Sequence, residues 1–224
     1  MKLFSRWLIA LSLIICAGVA CAAHPHTPEL GAAAVIDSNG VVWAVYKSEQ
    51  HVVMRTSKEF GATWSAPQVV NAKPEAISAG GDARPKIAAG PNGELYVTWT
   101  KPLAKPYTGD IRFARSLDGG KTFSEPVTVH TDRQEITHRF DAIAVDRSGR
   151  IYLAWIDKRD LEAAKANKQS YDGAAIYAAI SDDRGASFRG DFKVADHSCE
   201  CCRIALLARD EGLTLLWRHL FAPN

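Results

Sequence analysis

The chain has 224 residues, which is room for one domain or at most two. Its 27 basic and 25 acidic residues give a net charge of +2, and the two signs are well mixed along the sequence. No basic block indicates nucleic-acid binding, and no segment after the first two dozen residues indicates a membrane.

Residues 1–23 have the three parts of a secretory signal peptide. Lys2 and Arg6 form a basic start, an apolar run covers residues 7–20, and small residues follow up to Ala23. The run is too short for a membrane span and has the wrong flank. Cleavage after residue 22 or 23 would export residues 24–224 to the periplasm or the medium. Cys21 offers an alternative, because small residues precede it as they precede lipid-bearing cysteines.

After the signal, one strand pattern recurs with a period near 60 residues. A turn rich in Gly or Asn is followed by an apolar strand that ends in an aromatic residue. The copies cover residues 38–46, 91–99, 148–155 and, more weakly, 211–217. Turn residues of this kind between β-branched or aromatic runs predict β-hairpins. A repeat of this length is typical of propeller blades.

A second pattern follows three of these hairpins. Residues 116–123 (SLDGGKTF) match Ser-x-Asp-x-Gly-x-Thr-aromatic at every position, and residues 57–64 and 181–188 each differ by one conservative change. The Ser and Asp side chains can bond turn backbone, and Gly allows a backbone angle that other residues avoid. We call these three segments the acidic turns.

On these motifs the chain resembles the sialidase (neuraminidase) superfamily with BNR, or Asp-box, repeats. The resemblance implies an all-β, sialidase-like β-propeller of four-stranded blades. Blades are expected at about residues 29–70, 82–130 and 138–195, with a half blade at 199–224. The family closes its ring with six blades, so the resemblance implies the N-terminal half of a propeller. An open edge of this kind would favour self-association.

Three arginines occupy matching positions on the face opposite the acidic turns. Arg84, Arg139 and Arg203 each precede a hairpin glycine by nine or ten residues, so all three are expected to point toward the propeller axis. Converging guanidinium groups favour a carboxylate. The resemblance implies that Arg84 binds the carboxylate of an acidic glycan such as sialic acid. The alternative is that the arginines pair with nearby acids such as Asp82 or Asp141.

The resemblance also implies a catalytic acid/base aspartate in the loop of residues 101–110. Asp110 is the only acid there, and general acid catalysis would require it to be shielded from water. A plain turn role is the alternative. The nucleophile and its partner come from the C-terminal half in that family, so glycosidase activity is expected to be incomplete in this chain.

A long polar loop at residues 157–173 lies on the same predicted face. Asp157 and Arg159 begin it and are candidate substrate-binding residues, and residues 161–166 have helix-forming composition. The loop either caps a ligand or is a solvated insertion.

The segment of residues 197–202 (HSCECC) is one that a propeller does not need. His197, Cys199, Cys201 and Cys202 suit a soft metal such as copper(I), or zinc. The structural alternative is a disulfide, most simply Cys199 to Cys202 with Cys201 free. The sequence therefore predicts an exported, sialidase-like propeller that binds or hydrolyses acidic glycans. A metal-binding or protein-interaction propeller is the alternative.

Overall fold

The computed structural model describes residues 31–80, 83–209 and 212–221. The predicted signal peptide and Cys21 lie outside this part of the chain, as does Asp82. None of the described helical segments has the length and apolar character needed to cross a bilayer.

The described chain is all-β and forms three four-stranded antiparallel sheets and one two-stranded sheet, each with its strands in sequence order. The first sheet contains β1 (Ala33–Ile36), β2 (Val42–Ser48), β3 (His51–Ser57) and β4 (Gln68–Val69). The second contains β5 (Lys86–Ala89), β6 (Leu95–Pro102), β7 (Gly109–Ser116) and β8 (Val127–Thr128). The third contains β9 (His138–Val145), β10 (Ile151–Asp157), β11 (Ala174–Ser181) and β12 (Arg189–Ser198). The fourth contains β13 (Ala205–Arg209) and β14 (Gly212–Leu216), and one helix, α1 (Arg159–Ala166), follows β10.

The sheets are arranged as blades around an axis. The first strands of neighbouring sheets contact one another, β1 against β5, β5 against β9, and β9 against β13. The predicted propeller architecture is therefore confirmed, with three complete blades and part of a fourth. The last strand of the third blade extends to Ser198, three residues beyond the boundary expected from the repeats.

Apolar side chains from facing sheets form the core. Trp99 and Met54 belong to a cluster between the first two blades, and Trp155 and Phe113 belong to a cluster between the second and third. A third cluster joins the third blade to the hairpin of β13 and β14, through residues such as Ile204. Because burial of apolar area is the main favourable term in folding, each blade is stabilised chiefly by its neighbours.

The acidic turns connect the third and fourth strands of each complete blade. In the second blade, the Ser116 hydroxyl accepts the Gly120 N–H at 2.8 Å, and Asp118 accepts the N–H and hydroxyl of Thr122 at 3.0 and 2.6 Å. These bonds from Thr122 and Ser116 hold the pKa of Asp118 far below its usual value. The turns thus satisfy their own polar groups, as expected from the sequence.

The turns also pack against the preceding blade. A Cβ at Gly120 would lie 2.6 Å from Met54 and 3.0 Å from Trp43, both in the first blade. Arg115 of the second blade donates to the carbonyl of Arg184 in the third acidic turn at 2.8 Å. This packing role is not visible in the local sequence pattern.

The hairpin of β13 and β14 exposes Leu213 and Leu216, which are 40% and 69% accessible. Its connection to the third blade is made by main-chain bonds near residue 198, where Cys199 N–H donates to Arg218 O and Leu220 N–H to His197 O. Self-association through this part of the propeller stays a prediction.

Candidate functional site

A pocket of about 190 Å³ lies where the first strands of the second, third and fourth blades meet. Its lining residues come from the entries of those strands: Arg84, Lys86, Phe140, Asp141, Arg203 and Ile204. We call it the arginine pocket. Three cationic side chains and one carboxylate give it a formal charge of +2 (three minus one). It therefore favours an anionic ligand.

Asp141 is the anion of the pocket, and it is almost fully buried. It accepts a 2.6 Å hydrogen bond from the Thr98 hydroxyl and lies 3.5 Å from the Lys86 ammonium. These contacts fix the carboxylate between the second and third blades. Asp141 thus pairs with Lys86, a residue that the sequence patterns did not indicate. Lys86 could have been found by its position, because it opens β5 two residues after Arg84.

Arg139 is placed differently from the other two predicted arginines. Among the described residues that line the pocket, Arg84 and Arg203 are present and Arg139 is not. Its guanidinium lies 4.8 Å from the Phe140 ring and 6.0 Å from the Tyr107 ring.

The cause is a β-bulge between β9 and β10. The pairing shifts by one residue between Ala154 and Ile156, and Phe140 has φ +55°. A bulge redirects the side chains around it. Arg139 precedes Gly149 by ten residues, whereas Arg84 precedes Gly93 by nine. This extra residue is the feature of the sequence that could have predicted the different position of Arg139.

A second group of polar side chains lies between the second and third blades, at the ends of strands that point to the same face. We call it the interblade cluster. Its members are Asp110, His130, Asp132, His138, Asp157, Arg159 and Asp191.

Asp157 and Arg159 form the buried core of the interblade cluster rather than part of the arginine pocket. Asp157 is completely buried and accepts bonds from Arg159 Nη2 at 2.7 Å and Trp155 Nε1 at 2.8 Å. Arg159 Nη1 also lies 2.7 Å from Asp191, and its guanidinium stacks over the Tyr177 ring at 4.0 Å. Burial lowers the pKa of Arg159, but the bonds to Asp157 and Asp191 outweigh this and raise it.

The loop that these two residues begin contains the predicted helix, which is confirmed as α1. Asp160 in its first turn accepts a bond from Tyr177 at 3.0 Å, and Leu161 and Ala164 are its buried residues. The helix therefore packs on the third blade.

Two histidine rings stack in the interblade cluster. The rings of His130 and His138 are 3.8 Å apart with an angle of 14° between their planes, and both side chains are completely buried. Burial, and then the proximity of His138, lowers the pKa of His130 to about 4, so this ring is neutral at pH 7.

Asp110 faces this histidine pair. One of its carboxylate oxygens lies 3.6 Å from His130 Nε2, and its side chain is 20% exposed. Among the described residues that line the arginine pocket, Asp110 does not appear. The structure thus separates the candidate acid from the candidate carboxylate-binding arginines.

Cys199 and Cys202 form a disulfide, and Cys201 is a free, exposed thiol. The three sulfur atoms nevertheless lie within 4.8 Å of one another. His197 uses its Nδ1 to contact the Asp172 carbonyl at 3.0 Å, and its ring lies 4.9 Å from that of Tyr171. The structure therefore has the disulfide that was the alternative to a metal site.

No family model matches the sequence, and no curated protein matches it either. Solved structures do match. A protein of unknown function from Dyadobacter fermentans aligns with a TM-score of 0.56 at 14% identity, over 84% of this chain and 61% of that one. The Hadza microbial sialidase Hz136 aligns with a TM-score of 0.56 at 17% identity, over 84% and 42%.

An endo-arabinase from Bacteroides thetaiotaomicron aligns with a TM-score of 0.53 at 16% identity, over 84% of this chain and 68% of that one. At these identities the likeness concerns the fold alone. The fold is that of the glycoside-hydrolase propellers of sialidases and arabinanases. The chain spans less than two thirds of the length of both the Dyadobacter protein and the Hadza sialidase.

Proposed function

We propose that this protein is an exported, sialidase-like propeller that binds an acidic glycan through the carboxylate of a terminal sugar. The observation that carries the proposal is the convergence of Arg84, Lys86 and Arg203 on one pocket from two different blades. Guanidinium groups hold a carboxylate with directed, charge-assisted bonds. Export is supported by the signal-like residues 1–23 of the sequence.

The dimensions of the pocket support a small ligand group. Its volume of about 190 Å³ is below the roughly 300 Å³ at which pockets for drug-sized ligands begin. A carboxylate and part of one sugar ring fit this space better than an oligosaccharide does. Phe140 and Ile204 supply an apolar wall against which a sugar ring can lie.

The side chains around the pocket support binding of the glycan without its hydrolysis. Asp110 lies against His130, and among the described residues that line the pocket Asp141 is the only acid. Asp141 is already bonded to Thr98 and paired with Lys86. We therefore expect no measurable turnover of a fluorogenic sialoside by this chain.

The test is calorimetric titration with free sialic acid. Arg203→Gln should weaken binding about 10- to 100-fold, because a hydrogen bond to a charged group contributes about 1.5–3 kcal/mol. Arg209→Gln is the matched control, since Arg209 is exposed at the far end of β13, the strand that Arg203 precedes. It should leave binding unchanged.

The methyl ester of sialic acid provides the matching control on the ligand. It lacks the negative charge, so it should bind the wild-type protein as weakly as the acid binds Arg203→Gln. Equal binding of acid and ester, or an unchanged affinity in Arg203→Gln, would contradict the proposal.

A second function is favoured by the close approach of the three cysteine sulfurs. We propose that, when reduced, Cys199, Cys201 and Cys202 bind copper(I) or zinc as thiolates, with His197 as a fourth candidate ligand. Metal content and free thiols should be measured together on protein purified from the periplasm. About one ion per chain, lost in the double variant Cys201→Ser, Cys202→Ser, would support this function. One free thiol per chain and no metal would make the segment a disulfide clamp.

A further inference from the structure

The interblade cluster contains a buried nitrogen that neither proposed function uses. His138 Nδ1 lies 3.0 Å from the Gly109 carbonyl, which can only accept, so Nδ1 carries the hydrogen. An imidazole that carries its one hydrogen on Nδ1 presents a lone pair at Nε2. His138 is completely buried, and no donor among the described residues makes a hydrogen bond to Nε2. Buried polar atoms without a partner are rare and costly, so this one calls for a ligand.

Carboxylates surround that nitrogen. Asp157 Oδ2 lies 3.7 Å and Asp132 Oδ1 3.8 Å from His138 Nε2. Ligand atoms of Asp110, His130 and His138 also lie within 4.8 Å of one another. Two ligands of a tetrahedral ion, each about 2.1 Å from it, are about 3.4 Å apart. The separations of 3.7 and 3.8 Å from His138 Nε2 are therefore a few tenths of an ångström above that spacing.

The hydrogen bonds of the cluster decide which groups are available. His130 has both nitrogens engaged, since Nδ1 contacts the Asp132 carbonyl at 2.6 Å and Nε2 accepts the Ile111 N–H at 3.1 Å. Asp157 Oδ2 accepts from Arg159 and from Trp155. His138 Nε2 and Asp110 remain. Asp132 accepts bonds from the Gln134 N–H at 2.7 Å and from the Gln134 side-chain amide at 3.0 Å, one on each oxygen, so each oxygen keeps a second lone pair for an ion.

The charges of the cluster also favour binding of a cation. It contains four carboxylates: Asp110, Asp132, Asp157 and Asp191. Two guanidinium groups lie beside them. Arg159 pairs with three of the four, and Arg133 bonds the carbonyls of His130 and Asp132. Four negative and two positive charges leave a net charge of −2, which one divalent ion would neutralise.

We propose that the interblade cluster binds a divalent first-row transition ion of the zinc class through His138 Nε2, Asp110 and Asp132, with water completing the shell. One imidazole and two carboxylates form the nitrogen and oxygen set that such ions accept. Asp110 comes from the second blade and His138 from the third, so the ion links the two blades. The partial exposure of Asp110 and Asp132, 20% and 10%, provides a route for entry.

The experiment uses Zn²⁺ as the probe and Cys201→Ser as the parent protein. This parent keeps the disulfide and has no free thiol among the described residues, so the cysteine segment cannot supply a thiolate. We expect one Zn²⁺ per chain by calorimetry. His138→Asn should weaken binding at least about 100-fold, because changes even to groups behind the ligands cost 10- to 100-fold. The Asn amide can still donate to the Gly109 carbonyl.

His51→Asn is the matched control. His51 Nδ1 makes the same type of contact, at 2.9 Å to the Asn71 carbonyl, but it lies in the first blade, outside the interblade cluster. Binding by His51→Asn should equal that of the parent protein. Zn²⁺ should also raise the melting temperature of the parent and of this control, but not that of His138→Asn.

Asp110→Asn is a second test in case His138→Asn does not fold. Asp110 is at the exposed side of the cluster, so its replacement should disturb folding less. We expect it to weaken Zn²⁺ binding at least tenfold with an unchanged circular dichroism spectrum. The proposal is overturned if the parent binds no Zn²⁺. It is also overturned if folded His138→Asn, or Asp110→Asn, binds as tightly as the parent. The glycan titration is independent of each of these results.

Discussion

The acidic turns and the interblade cluster both hold aspartates in place, but they do so over very different distances along the chain. Asp118 takes its hydrogen bonds from residues within four positions of itself. Arg159 instead joins Asp132, Asp157 and Asp191, and Thr131 bonds Asp191 across 60 residues. The first arrangement is a local motif and the second exists only once two blades have assembled.

The two arrangements also differ in the free energy that is lost when a hydrogen-bond partner is removed. Asp118 is exposed, and water can replace its partners when the turn opens. Asp157 is completely buried, so a lost partner leaves a charge or a donor without solvation. The turns therefore identify the fold, while the cluster adds buried ionic contacts to the apolar packing that joins the second and third blades.

The largest effect is expected from breaking the cluster. Asp157→Asn should lower the free energy of unfolding by about 3–5 kcal/mol, as for other buried ion pairs that lose one member. The carboxylate oxygen now accepts hydrogen bonds from Arg159 and Trp155, and an amide nitrogen in its place could not accept them. Urea unfolding measures the change.

Asp182→Asn is the control for that variant. Asp182 pairs with Arg150 and Arg189 on the surface, where solvent screens the interaction. Its stability should stay close to that of the wild type. A similar loss in both variants would mean that burial does not distinguish the two regions.

A smaller effect is expected from the packing of the acidic turns. Gly120 has φ +78°, and an added Cβ would meet Met54 and Trp43 of the first blade. Gly120→Ala should cost about 2–5 kcal/mol, from backbone strain of about 1–2 kcal/mol and overpacking of about 1–3 kcal/mol.

Gly119→Ala separates the backbone strain from the overpacking. Thermal or urea unfolding of both variants measures the difference. Gly119 has φ +68° but nothing within 4 Å of its added Cβ, so only the strain of about 1–2 kcal/mol should appear. Equal losses at Gly119 and Gly120 would show that the turn is as self-contained as its sequence suggests.

The site was less predictable than the fold because it depends on contacts between blades. The nine-residue spacing located Arg84 and Arg203, which do line one pocket. The same spacing argument predicted Arg139 in that pocket, but Arg139 lies elsewhere, because its spacing is ten residues and a β-bulge accommodates the extra one. Asp110 was singled out by its loop, but its neighbours His130 and His138 carry no local signal and were missed.

Local chemistry was sufficient for the architecture. Hairpin turns and the acidic turns each involve groups within about ten residues, so the sequence by itself indicated the blade period and the position of α1, and the family resemblance of these motifs implied the propeller. Tertiary structure alone decided the rest: the Lys86–Asp141 pair, the burial of Asp157 and Arg159, and the stacked histidines. The physical reason is that burial and pairing depend on which blade faces which. Lys86 and Asp141 are 55 positions apart, and even His130 and His138, eight positions apart, are buried only when the sheets pack.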